Sequence, residues 1–260
     1  MAYNFREPDI LEIARKEGKV TVEGLASRFG VTVQTIRRDL TELADEGKLE
    51  RVHGGAVLPS SVINIGYEDR RGLQDAAKED IARRCAQEIP EGASLFLNIG
   101  TSTEALARAL LRHRNIMVVT NNLNVANILT PNRDCQIIIS GGTLRRTDGG
   151  LIGNIAIDTI EQFKVDIAII GCSALDEDGD FLDFDVQEVG VSKAIIRQAR
   201  KTYLVADHSK FQRNAPVRIA SLQDITSIFT DQPLSDALTQ KCQDWGTLVH
   251  LAGDTPVQIG

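Results

Sequence analysis

From position 94 onward the chain returns repeatedly to short runs built almost wholly of apolar residues, each followed by a stretch with helical spacing. SLFLN at 94–98, IMVV at 116–119, QIII at 136–139 and VDIAII at 165–170 are the first four; 203–206, 225–229 and 247–251 continue the series. Amphipathic segments lie before and between them, at 76–89, 104–113, 123–129, 155–163, 188–200 and 234–243. A strand that alternates apolar and polar residues has one wet face; a strand apolar throughout has both faces covered. Such strands alternating with helices predict an α/β unit with an open parallel sheet and helices on both sides.

In a sheet of that kind the ligand crevice lies beyond the carboxyl ends of the strands. The residues at those positions are small or polar. The run at 94–98 is followed by Ile99, Gly100, Thr101, Ser102, Thr103 and Glu104. Gly100 allows close approach of the backbone, and the three hydroxyl residues open a helix whose first N–H groups lack partners within it. Such a start holds a phosphate; the same residues also make an ordinary capped helix after a tight turn. Further strands end in Thr120-Asn121-Asn122, Ser140-Gly141-Gly142-Thr143, Gly171-Cys172-Ser173 and Asp207-His208-Ser209-Lys210, and a second glycine-dense loop spans 148–153. Together they describe a pocket for a small, polar, phosphate-bearing ligand, with Lys210 as a point charge opposite the phosphate. Asp183, Asp185 and Glu188 precede Lys193. That group fits catalysis, contacts to sugar hydroxyls, or the acidic first turn of a helix.

Ahead of this unit the pattern changes. At 8–16, Ile10, Leu11 and Ala14 recur at helical spacing with Pro8 in the favoured first turn, and Gly18 stops the run. Thr21 is an N-cap for a second apolar stripe of Val22, Leu25, Ala26 and Phe29, which Gly30 ends. Thr32 caps a third segment, VTVQTIRRDLTEL at 31–43, which runs on toward Glu46 and stops at Gly47. Ile36, Leu40 and Leu43 share one of its faces; Gln34, Thr35 and Arg38 share the other, with Arg37 on the flank. Gln, Thr and Arg near the start of an exposed helix can reach base edges in a major groove. Short helix, tight turn, longer helix is a helix-turn-helix, and 48–57, with Gly54-Gly55 in it, reads as the hairpin of a wing. The candidate DNA contacts are Thr32, Gln34, Thr35, Arg37 and Arg38, with Arg51 and His53 on the wing. His53 fits an exposed hairpin residue equally well.

The chain therefore divides into a winged helix-turn-helix domain at 1–58, an aperiodic linker at 59–75 and an α/β domain at 76–260. Charge excludes a broad basic field. The whole chain carries −7, and over 1–58 nine Lys and Arg face ten Asp and Glu. DNA affinity then rests on local clustering such as Arg37-Arg38. One short helix reads few bases, so a homo-oligomer, dimer or tetramer, is expected. No apolar run approaches the ~20 residues of a membrane span, and no secretion signal opens the chain. The four cysteines and four histidines are scattered, without disulfide or zinc spacing. The expectation is a cytoplasmic protein with no cofactor, no metal and no membrane partner.

The stretches VTVQTIRRDLTELADEGKLERVHGGAVLPSS, SLFLNIGTSTEALARALL, VTNNLNVANIL, SGGTLRRTDGGLIG, LDFDVQEV and ADHSKFQRNA make the chain resemble the DeoR family of bacterial transcriptional regulators over nearly its whole length. The resemblance implies a repressor of a carbohydrate or polyol catabolic operon, bound to double-stranded operator DNA and released by a phosphorylated small molecule. Glycerol 3-phosphate is the first choice of effector and another sugar phosphate the alternative. The resemblance also implies a sensor domain similar to ribose-5-phosphate isomerase and the CoA-transferase superfamily. In it Gly100, Thr101, Ser102 and Thr103 hold the phosphate with Lys210 nearby, and Asn121, Gly141, Gly142, Asp183, Asp185 and Glu188 line the pocket. Two departures stand out. Gly190 stands where similar repressors carry a basic residue, and Gly171-Cys172-Ser173-Ala174-Leu175-Asp176 lies near where the isomerases carry Asp-Gly-Ala-Asp-Glu. The competing reading is a sugar-phosphate isomerase with an appended DNA-binding domain, served by Asp183, Asp185, Glu188 and Lys193. A regulator that activates instead of repressing is a third.

Overall fold

The computed structural model describes residues 6–59, 66–71 and 73–253, and the chain forms two units, Met1–Leu73 and Gln74–Gly260. In the first, α1 (Glu7–Glu17) ends at Gly18 and a short strand, β1 (Lys19–Thr21), follows. The Thr21 hydroxyl accepts the N–H of Gly24 and starts α2 (Val22–Phe29), which Gly30 ends at φ +64°. The Thr32 hydroxyl accepts the N–H of Thr35 and starts α3 (Val33–Asp45). These boundaries are the ones the capping residues predict. β2 (Glu50–Val52) and β3 (Gly55–Val57) form the expected hairpin, and β1 joins β3 as a third antiparallel strand that the sequence reading lacks. Its approach requires Gly55, because a Cβ there would lie 1.8 Å from the Val20 carbonyl oxygen. Ile36, Leu40 and Leu43 of α3 pack with Ile10, Val20, Leu25 and Ala56 in a small core, as their shared face predicts. Part of the expected linker is helical, α4 (Tyr67–Arg71); its positions 60–65 and 72 lie outside the described residues.

The second unit opens with α5 (Asp75–Gln87), then alternates β4 (Ser94–Leu97), α6 (Thr101–Ala109), β5 (Ile116–Thr120), α7 (Leu123–Leu129) and β6 (Cys135–Ile139). A hairpin of β7 (Thr143–Arg145) and β8 (Gly150–Ile152) precedes α8 (Asn154–Ile160) and β9 (Val165–Ile170). Next come β10 (Ala174–Leu175), β11 (Asp180–Asp183), α9 (Val186–Arg197) and β12 (Ala199–Val205). β13 (Val217–Ser221), β14 (Ser227–Thr230), α10 (Asp236–Trp245) and β15 (Leu248–Leu251) complete the unit. The order β15-β14-β12-β9-β4-β5-β6 forms one sheet with every pairing parallel. Leu95, Leu97, Ile167, Ile169 and Val205 enter one core; Phe96, Ala168, Ile170 and Leu204 enter the other. Both faces are covered, which is why these strands read as apolar runs.

The strand order reverses at β4. The chain builds outward through β5 and β6, then returns to β9 and builds outward on the other side. The carboxyl ends of β4 and β9 therefore mark the topological switch point, where open α/β sheets bind ligands. Two features correct the sequence reading. The β7–β8 hairpin replaces glycine loops, and β10, β11 and β13 form a separate antiparallel sheet. No helix among the described residues is long and apolar enough to cross a membrane.

Candidate functional site

In the first unit, Thr32, Gln34, Arg37 and Arg38 are exposed at the start of α3 and Thr35 is half-buried. The Thr32 hydroxyl is the N-cap and lies 2.9 Å from the Thr35 hydroxyl, so this pair fixes the helix start. Arg38 Nε donates to Glu42 Oε1 one turn on at 3.0 Å, an exposed pair that restrains the side chain only weakly. Asp39 is buried and accepts from Arg6 at 2.7 and 3.1 Å, which offsets a negative charge next to the candidate reading face. The two wing candidates differ. His53 is exposed at the hairpin turn. Arg51 is half-buried; burial, with the charge of Arg37, pushes its guanidinium below its ordinary value, and its Nη1 has no hydrogen-bond partner. Arg51 lies within β2, in electrostatic range of Arg37 and short of the wing's turn.

In the second unit Gly100 takes φ +144° and α6 begins at Thr101. Thr101 is half-buried and Ser102 buried. The Thr103 hydroxyl is turned inward, 2.7 Å from the carbonyl oxygens of Asn98 and Gly100. Expected to face a phosphate, it instead clamps the loop. Lys210 is largely buried with its Nζ 3.9 Å from Asp207 Oδ2. Burial raises the Asp207 carboxyl, but the charge of Lys210, the Ser209 donors and the charge of Lys78 outweigh it and hold the group below the usual carboxylate range.

The three acids expected as one group separate. Asp183 accepts from Ser173 Oγ at 3.0 Å and from the Phe184 N–H at 2.7 Å. Asp185 caps α9 by accepting the N–H groups of Gln187 and Glu188. It also joins Glu188 around a residue that sequence reasoning missed, Arg145 at the end of β7. Arg145 donates to Asp148 at 2.6 and 3.0 Å, to Asp185 at 2.7 Å and to Glu188 at 2.5 Å. Burial works to lower its pKa; Asp148 and Glu188 reverse that and raise it. Asp185 and Glu188 lie 40 and 43 residues away in sequence. Its only local signal was a cation inside a glycine-dense strand-end segment. Lys193 is exposed and takes no part in this network. Burial pushes the Cys172 thiol at the exit of β9 up to about 12, so it stays protonated at neutral pH.

Gly141 and Gly142 take φ +70° and +111°, and Gly142 also serves packing. A Cβ at Gly142 would sit 2.7 Å from the Ile152 carbonyl oxygen. Gly190 faces α8, where a Cβ would meet Ile157 at 3.6 Å. Asn121 is fully buried and its Nδ2 donates to the Leu151 carbonyl at 3.2 Å. Asn98, also missed, is buried at the end of β4 with its Nδ2 donating to Ser192 Oγ at 2.7 Å.

Two family profiles match the chain. One described as "DeoR-like helix-turn-helix domain" matches residues 6–62, and one described as "DeoR C terminal sensor domain" matches residues 73–232. The chain is 47% identical over 239 residues to the glycerol-3-phosphate regulon repressor of Escherichia coli (strain K12), covering 92% of this chain and 95% of that one. It is 46% identical over 230 residues to the protein of the same description in Haemophilus influenzae, covering 88% and 90%. Among solved structures, ribose 5 phosphate isomerase A from Neisseria gonorrhoeae aligns over 54% of each chain with 14% identity and a TM-score of 0.39, too loose a superposition to bear on the site.

Proposed function

Because this chain belongs to the DeoR family of transcriptional regulators, we propose that it is a DNA-binding repressor of a carbohydrate or polyol catabolic operon, released from its operator by a phosphate ester, glycerol 3-phosphate first among them. The observation that carries this reading is near-full-length similarity to relatives described as glycerol-3-phosphate regulon repressors, in a chain that has both an exposed polar face on α3 and a hydroxyl-rich helix start at the switch point.

Gln34, Thr35 and Arg38 read base edges, while Thr32, Arg37, Arg51 and His53 position the unit on phosphates. The start of α6 at Gly100, Thr101 and Ser102 takes the ligand phosphate with Lys210 as counter-charge. Thr103 supports that loop; Asn121, Gly141, Gly142, Asp183, Asp185 and Glu188 form the surrounding wall. An effector that binds the DNA-incompetent state more tightly shifts the population toward it by that difference in affinity. The protein acts in the cytoplasm as a dimer or tetramer, whose copies together supply the affinity that a near-neutral reading unit lacks. It is a regulator and not an isomerase. Gly190, which leaves a basic side chain out of α9, is the specific reason to test other sugar phosphates beside glycerol 3-phosphate.

Selection of genomic fragments by the full-length protein, followed by footprinting, tests the reading. It requires repeated half-sites upstream of sugar or polyol catabolic genes; fragments bound without sequence preference would refute it.

A further inference from the structure

Four oxygen atoms among the described residues are buried without a hydrogen-bond partner at the carboxyl ends of the parallel strands. They are Asn98 Oδ1 after β4, Asn121 Oδ1 after β5, Thr230 Oγ1 on β14 and Asp207 Oδ2 after β12, the last facing the Lys210 ammonium at 3.9 Å as an ion pair without a hydrogen bond. Buried acceptors are normally satisfied, and leaving one without a donor is destabilising. A row of them at the ligand-binding end of the sheet is therefore a chemical statement about what binds there.

Two of the four are fixed most clearly. Thr120 stands opposite Leu97 in the β4–β5 pairing, so Asn121 and Asn98 are the next residues out on adjacent strands. The Ser192 hydroxyl donates to the Glu188 carbonyl at 3.1 Å, so it accepts from Asn98, which fixes that amide with nitrogen toward Ser192 and oxygen away. The Asn121 nitrogen is fixed likewise by the Leu151 carbonyl. Both oxygens are then pure acceptors, and Asn98 lies two residues before Gly100 at the start of the phosphate-holding loop. An acceptor pair receives O–H groups, gains nothing from a methyl or methylene group, and repels a carboxylate.

Resting on the sensor reading above, we propose that Asn98 and Asn121 are specificity contacts that accept ligand hydroxyls, so that the site takes phosphate esters of polyhydroxylated carbon chains and rejects esters with a carboxylate or no hydroxyl in the same place. Asn98 extends the site to a residue outside the expected set, and Asn121 acquires a defined role within it.

The test is calorimetric titration of the full-length protein with three probes that share a phosphate ester on three carbons: glycerol 3-phosphate, n-propyl phosphate and 3-phosphoglycerate. Glycerol 3-phosphate is expected to bind at least about tenfold more tightly than either of the others. Asn98→Ala and, separately, Asn121→Ala are expected to bring the ratio of glycerol 3-phosphate to propyl phosphate toward one while leaving propyl phosphate binding unchanged. A purely structural role would weaken both ligands together, and unchanged propyl phosphate binding also reports that each variant is folded. Equal binding of propyl phosphate and glycerol 3-phosphate by the unaltered protein, or a ratio preserved in both variants, overturns the proposal while leaving a phosphate sensor in place. Binding of none of the three overturns the proposal, and failure of every other phosphorylated sugar or polyol to bind overturns the sensor reading beneath it.

Discussion

The side-chain nitrogen of Gln74 lies 3.3 Å from Nε2 of His208. Gln74 is the first residue of the second unit and takes φ +54°, a left-handed conformation uncommon for a residue with a side chain. His208 is anchored by Asp231, which accepts its backbone N–H at 2.8 Å and pairs with Nδ1 at 2.6 Å. With the Gln74 amide donating to Nε2, the imidazole carries its proton on Nδ1. His208 stands between Asp207 and Lys210, so the residue at the unit boundary touches the loop that carries the proposed counter-charge. Gln74→Ala is expected to leave operator affinity and effector affinity, each measured alone, near their original values. The effector's shift of operator affinity, ordinarily worth about 1–3 kcal/mol in coupled systems, should shrink toward zero. An undiminished shift would mean this contact plays no part in coupling.

Arg145→Ala would leave Asp148, Asp185 and Glu188 gathered without their cation. With 19% of the arginine side chain exposed, the expected destabilisation is about 2–4 kcal/mol by urea denaturation at neutral pH. Arg145→Lys should restore only part of it, because one ammonium cannot reproduce a forked donor shared by three carboxylates. Loss below about 0.5 kcal/mol for the alanine variant would remove Arg145 as the organiser of this region.

Acid stability follows from the same network. Burial raises the Asp185 carboxyl, but the Gln187 N–H and Arg145 outweigh it, so the group ends below its ordinary value of 3.8. A depressed native pKa stabilises the fold above the unfolded value and loses that contribution as pH falls through the native one. Asp185→Asn should therefore be less stable than the parent at pH 6, with the difference narrowing below about pH 4. A constant difference across that range would contradict the assignment.

Arg38→Ala should weaken operator binding by about 1–3 kcal/mol and relax preference at one base pair if the guanidinium reads guanine. Arg37→Ala should weaken binding to all sequences alike and flatten the salt dependence. Binding assays against a library of single-base operator variants separate the two patterns.

Gly55→Ala forces a Cβ into the Val20 carbonyl. Loss of β1 from the small sheet and at least about 2 kcal/mol of destabilisation of the first unit are expected in denaturation experiments. An alanine variant as stable as the parent would contradict the close approach.

The elements legible in the sequence were those whose signals are local. Thr21, Gly30 and Thr32 mark helix ends by capping chemistry that acts within a few residues, and Val165–Ile170 reads as a strand because both its faces are buried. β1 was not legible because its three residues matter only through pairing with β3, with Val20 opposite Ala56. The sheet of β10, β11 and β13 fails the same way, its partners meeting across distant segments. For the site, strand-end position singled out Lys210 and Asn121, which the structure buries at the ends of β12 and β5, while Arg145 and Asn98 escaped. The role of Arg145 depends on carboxylates supplied by α9, and that of Asn98 on a hydroxyl supplied by Ser192.

The central claim is that a phosphate ester bound at the switch point of the second unit controls DNA binding by the first. The direct measurement is fluorescence anisotropy of a labelled operator fragment bound by the full-length protein while glycerol 3-phosphate is titrated in. The prediction is release at or below millimolar ligand, with inorganic phosphate at the same concentration without effect. A complex that persists under glycerol 3-phosphate and under every other phosphorylated sugar or polyol supplied would contradict it.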